Sequence, residues 1–207
     1  MSSQLFADDI RFYQRILRLA GHYDDEIDGV WGEHTEAGDQ AFQAECDAIR
    51  TQLGTFDPRT EANIRTLLPE TQRAARRFLT TAANGMDGFT AKILSGTRTY
   101  AEQNALFSQG RNGNPGKIVT NARGGESNHN FGIAWDVGLF QGGRYLTGDA
   151  PGDEEAYKRL ADIALTARLE WGGSWVGFVD RPHFQLRTDL TLAQVRAQFE
   201  DGTLRLT

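Results

Sequence analysis

Two residue types seven positions apart suggest chemistry first. In the run Gly125-Glu126-Ser127-Asn128-His129-Asn130-Phe131-Gly132-Ile133-Ala134-Trp135-Asp136, an imidazole and a carboxylate are separated by a glycine and small or apolar residues. Catalytic zinc is commonly held by three protein ligands drawn from His, Asp, Glu and Cys, with a fourth position left open. His129 and Asp136 supply two of the three. The chain has four histidines. His22 and His34 lie far upstream in a segment of different character, which leaves His183, in Phe178-Val179-Asp180-Arg181-Pro182-His183-Phe184-Gln185, as the third. Asp180, three residues before it, has the chemistry to take a proton from water and return it to a leaving amine. Glu170 is the rival for that role and ranks second.

These side chains need elements to position them. Gly132 followed by β-branched Ile133 predicts a turn and then a strand, in which Ile133 and Trp135 face one side while Ala134 and Asp136 face the other. Upstream, the pattern predicts a helix from about Glu70 to Thr81, a strand Phe89 to Leu94 and a helix Ala101 to Gln109. The Gly110 to Gly116 run is a flexible loop, and Gly142-Gly143 predicts a hairpin. The acidic run Asp149 to Glu155 lacks EF-hand spacing and is expected to sit at the N-terminus of a helix from about Ala156 to Arg168. Leu169 to Trp175 then leads into the strand of His183, and Thr191 caps a final helix from about Leu192 to Phe199.

The motifs Ser127-x-His129-x-x-Gly132-x-Ala134-x-Asp136 and Asp180-x-x-His183 resemble those of the zinc D-alanyl-D-alanine carboxypeptidase and L-alanyl-D-glutamate endopeptidase family. Members cut peptidoglycan stem peptides. The segment Ser95-Gly96-Thr97-Arg98-Thr99-Tyr100-x-x-Gln103 is similar to a third family motif, with Thr97 standing where an aromatic is usual. The resemblance spans roughly residues 69–186. It implies one Zn2+ per chain on His129, Asp136 and His183, Asp180 as general base and acid, and Arg98 stabilising the developing oxyanion or holding a substrate carboxylate. It further implies that Ser127, Gln103 and Trp171 orient the site or the stem peptide. The Glu170-Trp171-Gly172-Gly173 segment and the Asp180-x-Pro182-His183-Phe184-Gln185 ending look like the endopeptidase branch found in phage endolysins.

The first third of the chain has its own pattern. Ile10, Phe12, Tyr13, Ile16, Leu17 and Leu19 recur at helical spacing from Ala7 to about Ala20. A turn-rich loop follows, then a helix toward Leu53 that Thr35 is placed to cap, and a third helix starting at Asp57-Pro58. Gly21, Tyr23, Ile27, Asp28, Gly29, Trp31, Gly32, Thr35, Phe42 and Gln43 resemble the pattern of a small three-helix peptidoglycan-binding module. That implies wall contact through Tyr23, Asp28 and Trp31. Leu68-Pro69 breaks the helical pattern and sets the expected boundary: a binding domain over 1–68 and a peptidase domain over 69–207. The expected fold class is α+β, a small antiparallel sheet with flanking helices carrying a zinc site, preceded by a small three-helix domain.

Composition narrows the partners. A net charge of −6 argues against a nucleic-acid backbone or an anionic membrane surface. No apolar run is long enough to span a bilayer, and Met1-Ser2-Ser3-Gln4 lacks a basic n-region and an apolar h-region. The expectation is a chain made in the cytoplasm, acting in the periplasm or wall after release or secretion, as a monomer on bacterial peptidoglycan. The single cysteine, Cys46, excludes an intramolecular disulfide and reads as a buried thiol in a helix. Four functions fit. The favoured one is an endolysin-like endopeptidase cutting the L-alanyl-D-glutamate bond. The others are a D-alanyl-D-alanine carboxypeptidase, a secreted antibacterial effector, and a non-catalytic wall-binding protein with a structural metal.

Overall fold

The computed structural model describes residues 6–206, so the Met1-Ser2-Ser3-Gln4 start lies outside the described residues. The architecture is α+β. In chain order it comprises α1 (Ala7–Leu19), α2 (Glu33–Leu53), α3 (Pro58–Ile64), α4 (Pro69–Gly85), β1 (Phe89–Ser95), α5 (Tyr100–Ser108), β2 (Ala134–Gln141), β3 (Arg144–Leu146), α6 (Asp153–Ala164), β4 (Leu169–Trp171), β5 (His183–Leu186) and α7 (Leu192–Glu200). Two short 3-10 turns, Asn128–Phe131 and Gly172–Ser174, complete it. No helix among the described residues is long and apolar enough to cross a membrane.

The chain divides into two compact units, each assembled from separated segments. One takes the chain up to Ala48, Arg98–Gly132 and the chain from Thr188. Its helix α1 buries Ile10, Phe12, Ile16 and Leu17 on one face, as the three-and-four spacing requires. Phe12 meets Tyr100 of α5 and Phe199 of α7 at ring distances of 6.0 and 5.5 Å, and Phe199 packs 5.2 Å from Phe131. The turn bearing His129 therefore rests on an aromatic cluster drawn from three helices. α5 and α7 each start with a reciprocal capping box, Thr99 with Glu102 and Thr191 with Gln194.

The loop after α1 is organised by Gln14, which is fully buried. Its amide nitrogen faces Tyr23 Oη, Asp28 Oδ1, the Val30 carbonyl and Thr35 Oγ1 at 2.9–3.2 Å, and its oxygen accepts from Gly29 N–H. This corrects one expectation. Thr35 does not cap α2, which already begins at Glu33; its hydroxyl is buried and serves the loop instead.

The second unit takes Ile49–Thr97 and Ile133–Arg187. Asp57 caps α3, accepting from Thr60 N, with Pro58 in the first turn. Helix α3 then clasps β1: Ile93 N–H donates to Thr60 Oγ1, and Asn63 Nδ2 donates to the Ile93 carbonyl. The sheet runs β1-β2-β5-β4, all neighbours antiparallel, with β3 also on β2. One face is aromatic. Trp135 and Trp171 lie on either side of Phe184 at 6.4 and 6.3 Å, and Phe78 of α4 closes on Phe184 at 4.6 Å. Trp135, Phe184 and Phe78 are essentially unexposed, a core in which truncating one ring costs about 3–5 kcal/mol.

Two helices differ from expectation at both ends. α4 runs Pro69–Gly85 rather than 70–81, and it starts at Pro69 because a residue lacking an N–H suits the first turn. α6 runs Asp153–Ala164, beginning three residues earlier than the expected Ala156 and stopping short of the expected Arg168. The acidic run supplies its first turn, where Asp153 accepts from Thr147 N–H at 2.8 Å.

Candidate metal centre

Strand period places the polar groups. Asp136 of β2 and His183 of β5 are register partners, and Trp135 pairs with Phe184 one step along. Because alternate residues leave opposite faces, the aromatic core and the polar pair emerge on opposite sides, as expected for Asp136. His183 Nδ1 lies 3.4 Å from Asp136 Oδ1.

His129 arrives by a different route. Its turn starts at Ser127, whose Oγ accepts from His129 N–H at 3.4 Å. It ends at Gly132 in the left-handed region, φ 71°, where a side chain would be strained. One ligand atom from each of His129, Asp136 and His183 lies within 4.8 Å of the other two. Both histidines are buried and Asp136 is partly buried. Two imidazoles and one carboxylate converging this closely form a donor set suited to zinc or a similar divalent ion. Burial opposes charge on His183, yet hydrogen bonding and attraction from Asp136, a hydrogen bond to Gln185 and the Asp180 charge together hold its pKa above the usual histidine range.

The remaining histidines are engaged elsewhere. His22 Nε2 faces Glu45 at 2.9 Å and His34 Nδ1 faces Asp25 at 2.5 Å.

Asp180 sits where the chain returns toward β5. Its N–H donates to the Gly172 carbonyl at 3.0 Å and its carbonyl accepts from His183 N–H at 3.2 Å. A β-carbon on Gly172 would lie 2.6 Å from the Asp180 carbonyl, so glycine there permits the close approach. Arg98 N–H donates to the His129 carbonyl, and its Nη2 lies 3.4 Å from His129 Nε2. Gln103 is fully buried: its Oε1 accepts from Arg98 Nη1 at 3.1 Å and its Nε2 donates to the Ala122 carbonyl at 3.0 Å. Trp171 donates its indole N–H to the Arg181 carbonyl at 2.7 Å. Glu170 accepts from Trp175 Nε1 at 2.6 Å and from Gln185 Nε2 at 3.2 Å.

In the other compact unit, Tyr23 and Asp28 hold the loop through Gln14, and Tyr23 is buried. Trp31 is partly exposed, stacked on Tyr13 at 5.8 Å.

Three residues have no role legible in the sequence by itself. Asn130 accepts from Gly125 N–H and donates to the Arg98 carbonyl, tying the His129 turn to the Arg98 segment. Gln185, two positions beyond His183, shares its face by strand period, which was the available signal. Trp175 had none, since its partner Glu170 is met only after the 3-10 turn folds back.

Residues 120–186 match a family model described as D-alanyl-D-alanine carboxypeptidase. Over 110 residues the chain is 38% identical to the peptidoglycan L-alanyl-D-glutamate endopeptidase CwlK of Bacillus subtilis, covering 51% of this chain and 65% of that one. Over 127 residues it is 32% identical to an L-alanyl-D-glutamate peptidase of Listeria phage A118, covering 61% of this chain and 40% of that one. The chain thus spans less than two thirds of either relative. A solved structure, the L-Ala D-Glu endopeptidase ChiX of Serratia marcescens, aligns with 64% of this chain and 89% of its own at 24% identity and a TM-score of 0.45. The matched segment carries His129, Asp136, Asp180 and His183 together, and the family resemblance drawn from their motifs holds there.

Proposed function

From that family match as premise, we propose that the chain is a zinc-dependent peptidoglycan hydrolase that cuts the L-alanyl-D-glutamate bond of the stem peptide. The observation that carries the reading is the convergence of His129, Asp136 and His183 within a segment matching the peptidase family. The choice of bond is supported by the two relatives, whose names specify that linkage.

His129, Asp136 and His183 would hold the ion, one per chain. A zinc ion there supplies Lewis acidity for a peptide carbonyl and makes water nucleophilic near neutral pH. The Asp180 carboxylate accepts the proton of the attacking water and passes it to the departing amine nitrogen. The Arg98 guanidinium donates to the oxygen on which negative charge develops. Gln103, fully buried, acts on a substrate through Arg98, whose Nη1 it holds. Ser127 fixes the start of the His129 turn, and Trp171 forms part of the wall that Gly173 lies against.

Residues 1–68 are proposed as the wall-binding part. Trp31 offers the ring face for sugar stacking, while Tyr23 and Asp28 shape the loop that presents it. The protein would act as a monomer in the periplasm or wall.

Digestion of chemically defined peptidoglycan, with and without chelator, tests the reading. Mass spectrometry should show new L-alanine C-termini and free D-glutamate amines, lost on chelation and restored by zinc. Release of terminal D-alanine would instead establish a carboxypeptidase, and no cleavage under any metal would leave a wall-binding role.

A further inference from the structure

Gln185 and Glu170 are register partners on β5 and β4, and Gln185 lies two positions from His183 on the same strand. All three side chains therefore leave one face of the sheet. The hydrogen bonds between them have only one consistent polarity. The Trp175 indole can only donate, and it reaches Glu170 Oε1 at 2.6 Å. A carboxylate can only accept, so Gln185 turns its NH2 toward Glu170 Oε2, at 3.2 Å. That leaves the Gln185 carbonyl oxygen facing His183 Nε2 at 2.9 Å. A carbonyl can only accept, so Nε2 carries the proton. Nδ1, beside Asp136, is then the nitrogen that would offer a lone pair to a bound ion, which would displace any proton shared there with Asp136.

We infer that Trp175, Glu170 and Gln185 form a one-directional relay that sets the His183 tautomer and presents Nδ1 as the ligand atom. They are positioning residues. The relay gives Glu170 a task other than proton transfer, since each of its carboxylate oxygens accepts a hydrogen bond within the relay. Partners of this kind raise ligand basicity and restrain ring orientation, and removing one typically lowers metal affinity about 10–100-fold.

The inference rests on the proposed metal site and is tested on the full chain by zinc competition titration of four proteins: wild type, Glu170→Gln, Gln185→Glu and the double swap. Gln185→Glu sets two carboxylates against each other. Glu170→Gln lets the paired amides flip, so that an NH2 group can face His183. The swap restores the original polarity: Trp175 donates to Gln at 170, that amide donates to Glu at 185, and Glu at 185 accepts from His183. Each single variant should lose about 10–100-fold in zinc affinity, and the swap should regain most of it. Singles that bind like wild type, or a swap no better than the worse single, would overturn the relay.

Nitrogen-resolved NMR of zinc-loaded wild type provides a readout that requires no variant to fold. It should show a proton on His183 Nε2 and the metal at Nδ1, and metal at Nε2 would refute the inference. Wild type that binds no zinc would remove the metal site itself and the relay with it, whereas zinc-binding wild type with indifferent variants removes the relay alone.

Discussion

At the residue scale, the proposed centre has one set of groups to hold an ion and another to move protons. Asp180 lies beside His183 in the chain and adds to the field at its ring, yet the donor set close enough to share an ion is His129, Asp136 and His183. Replacing Asp180 with Ala should therefore leave zinc content and melting temperature near wild type. Turnover on defined peptidoglycan should fall by about 10²–10⁴-fold. Unchanged turnover in a zinc-replete Asp180→Ala protein would exclude Asp180 as the base. The motifs made these four residues legible because each combines a chemically unusual residue type with close spacing. Gln185 was harder to see, since a lone glutamine on a strand carries no chemical signal until its face is known.

At the element scale, close backbone packing and one ion pair set the geometry. The turn Gly172–Ser174 joins β4 to the loop bearing Asp180, and a β-carbon at 172 would meet the Asp180 carbonyl at 2.6 Å and His183 Cβ at 3.1 Å. Gly172→Ala should displace that backbone and lower turnover about 10²-fold, out of proportion to its change in melting temperature. Steady-state kinetics beside a thermal melt would show the split. Farther off, the almost unexposed Arg76 of α4 binds both oxygens of Glu61 on α3, at 2.9 and 2.7 Å, and the Gly54 carbonyl. Burial alone would raise the Glu61 pKa, but the Arg76 hydrogen bonds overcome it and hold it below the usual range. A depressed carboxylate contributes stability above its unfolded pKa and loses it as pH falls through the folded value. Glu61→Gln should thus destabilise at neutral pH by about 3 kcal/mol, the low end for a buried pair because Glu61 keeps some exposure. In urea melts its deficit relative to wild type should shrink as acid protonates Glu61; a deficit constant with pH would contradict the assignment.

At the scale of the whole molecule, the segments are interleaved. Ile49–Thr97 and Ile133–Arg187 form one compact unit, in which Thr60 and Asn63 hydrogen-bond the β1 backbone at Ile93 and Thr66 bonds Thr97. In the other unit, α1 places Phe12 against Tyr100 and Phe199. A chain beginning at residue 69 would lose both sets of partners. It should melt at a lower temperature and less cooperatively than the full chain, whatever it retains of wall binding. A truncated chain as stable as the whole would show that residues 1–68 contribute no structural support.

Local signals were enough for the helix starts at Asp57-Pro58 and Thr191, because a cap is decided within four residues. They were enough for the opposed faces of Trp135 and Asp136, because strand period is fixed by covalent geometry. The family motifs likewise carried the candidate ligands by residue type and spacing alone. Thr35 shows the limit: a good cap by type, it was taken by buried Gln14, a partner twenty-one residues away. The relay through Trp175, Glu170 and Gln185, the clasp of α3 on β1 and the assembly of each unit from separated segments depended on contacts between segments far apart in the chain. Such contacts follow from which faces are buried together, and only tertiary packing settles that.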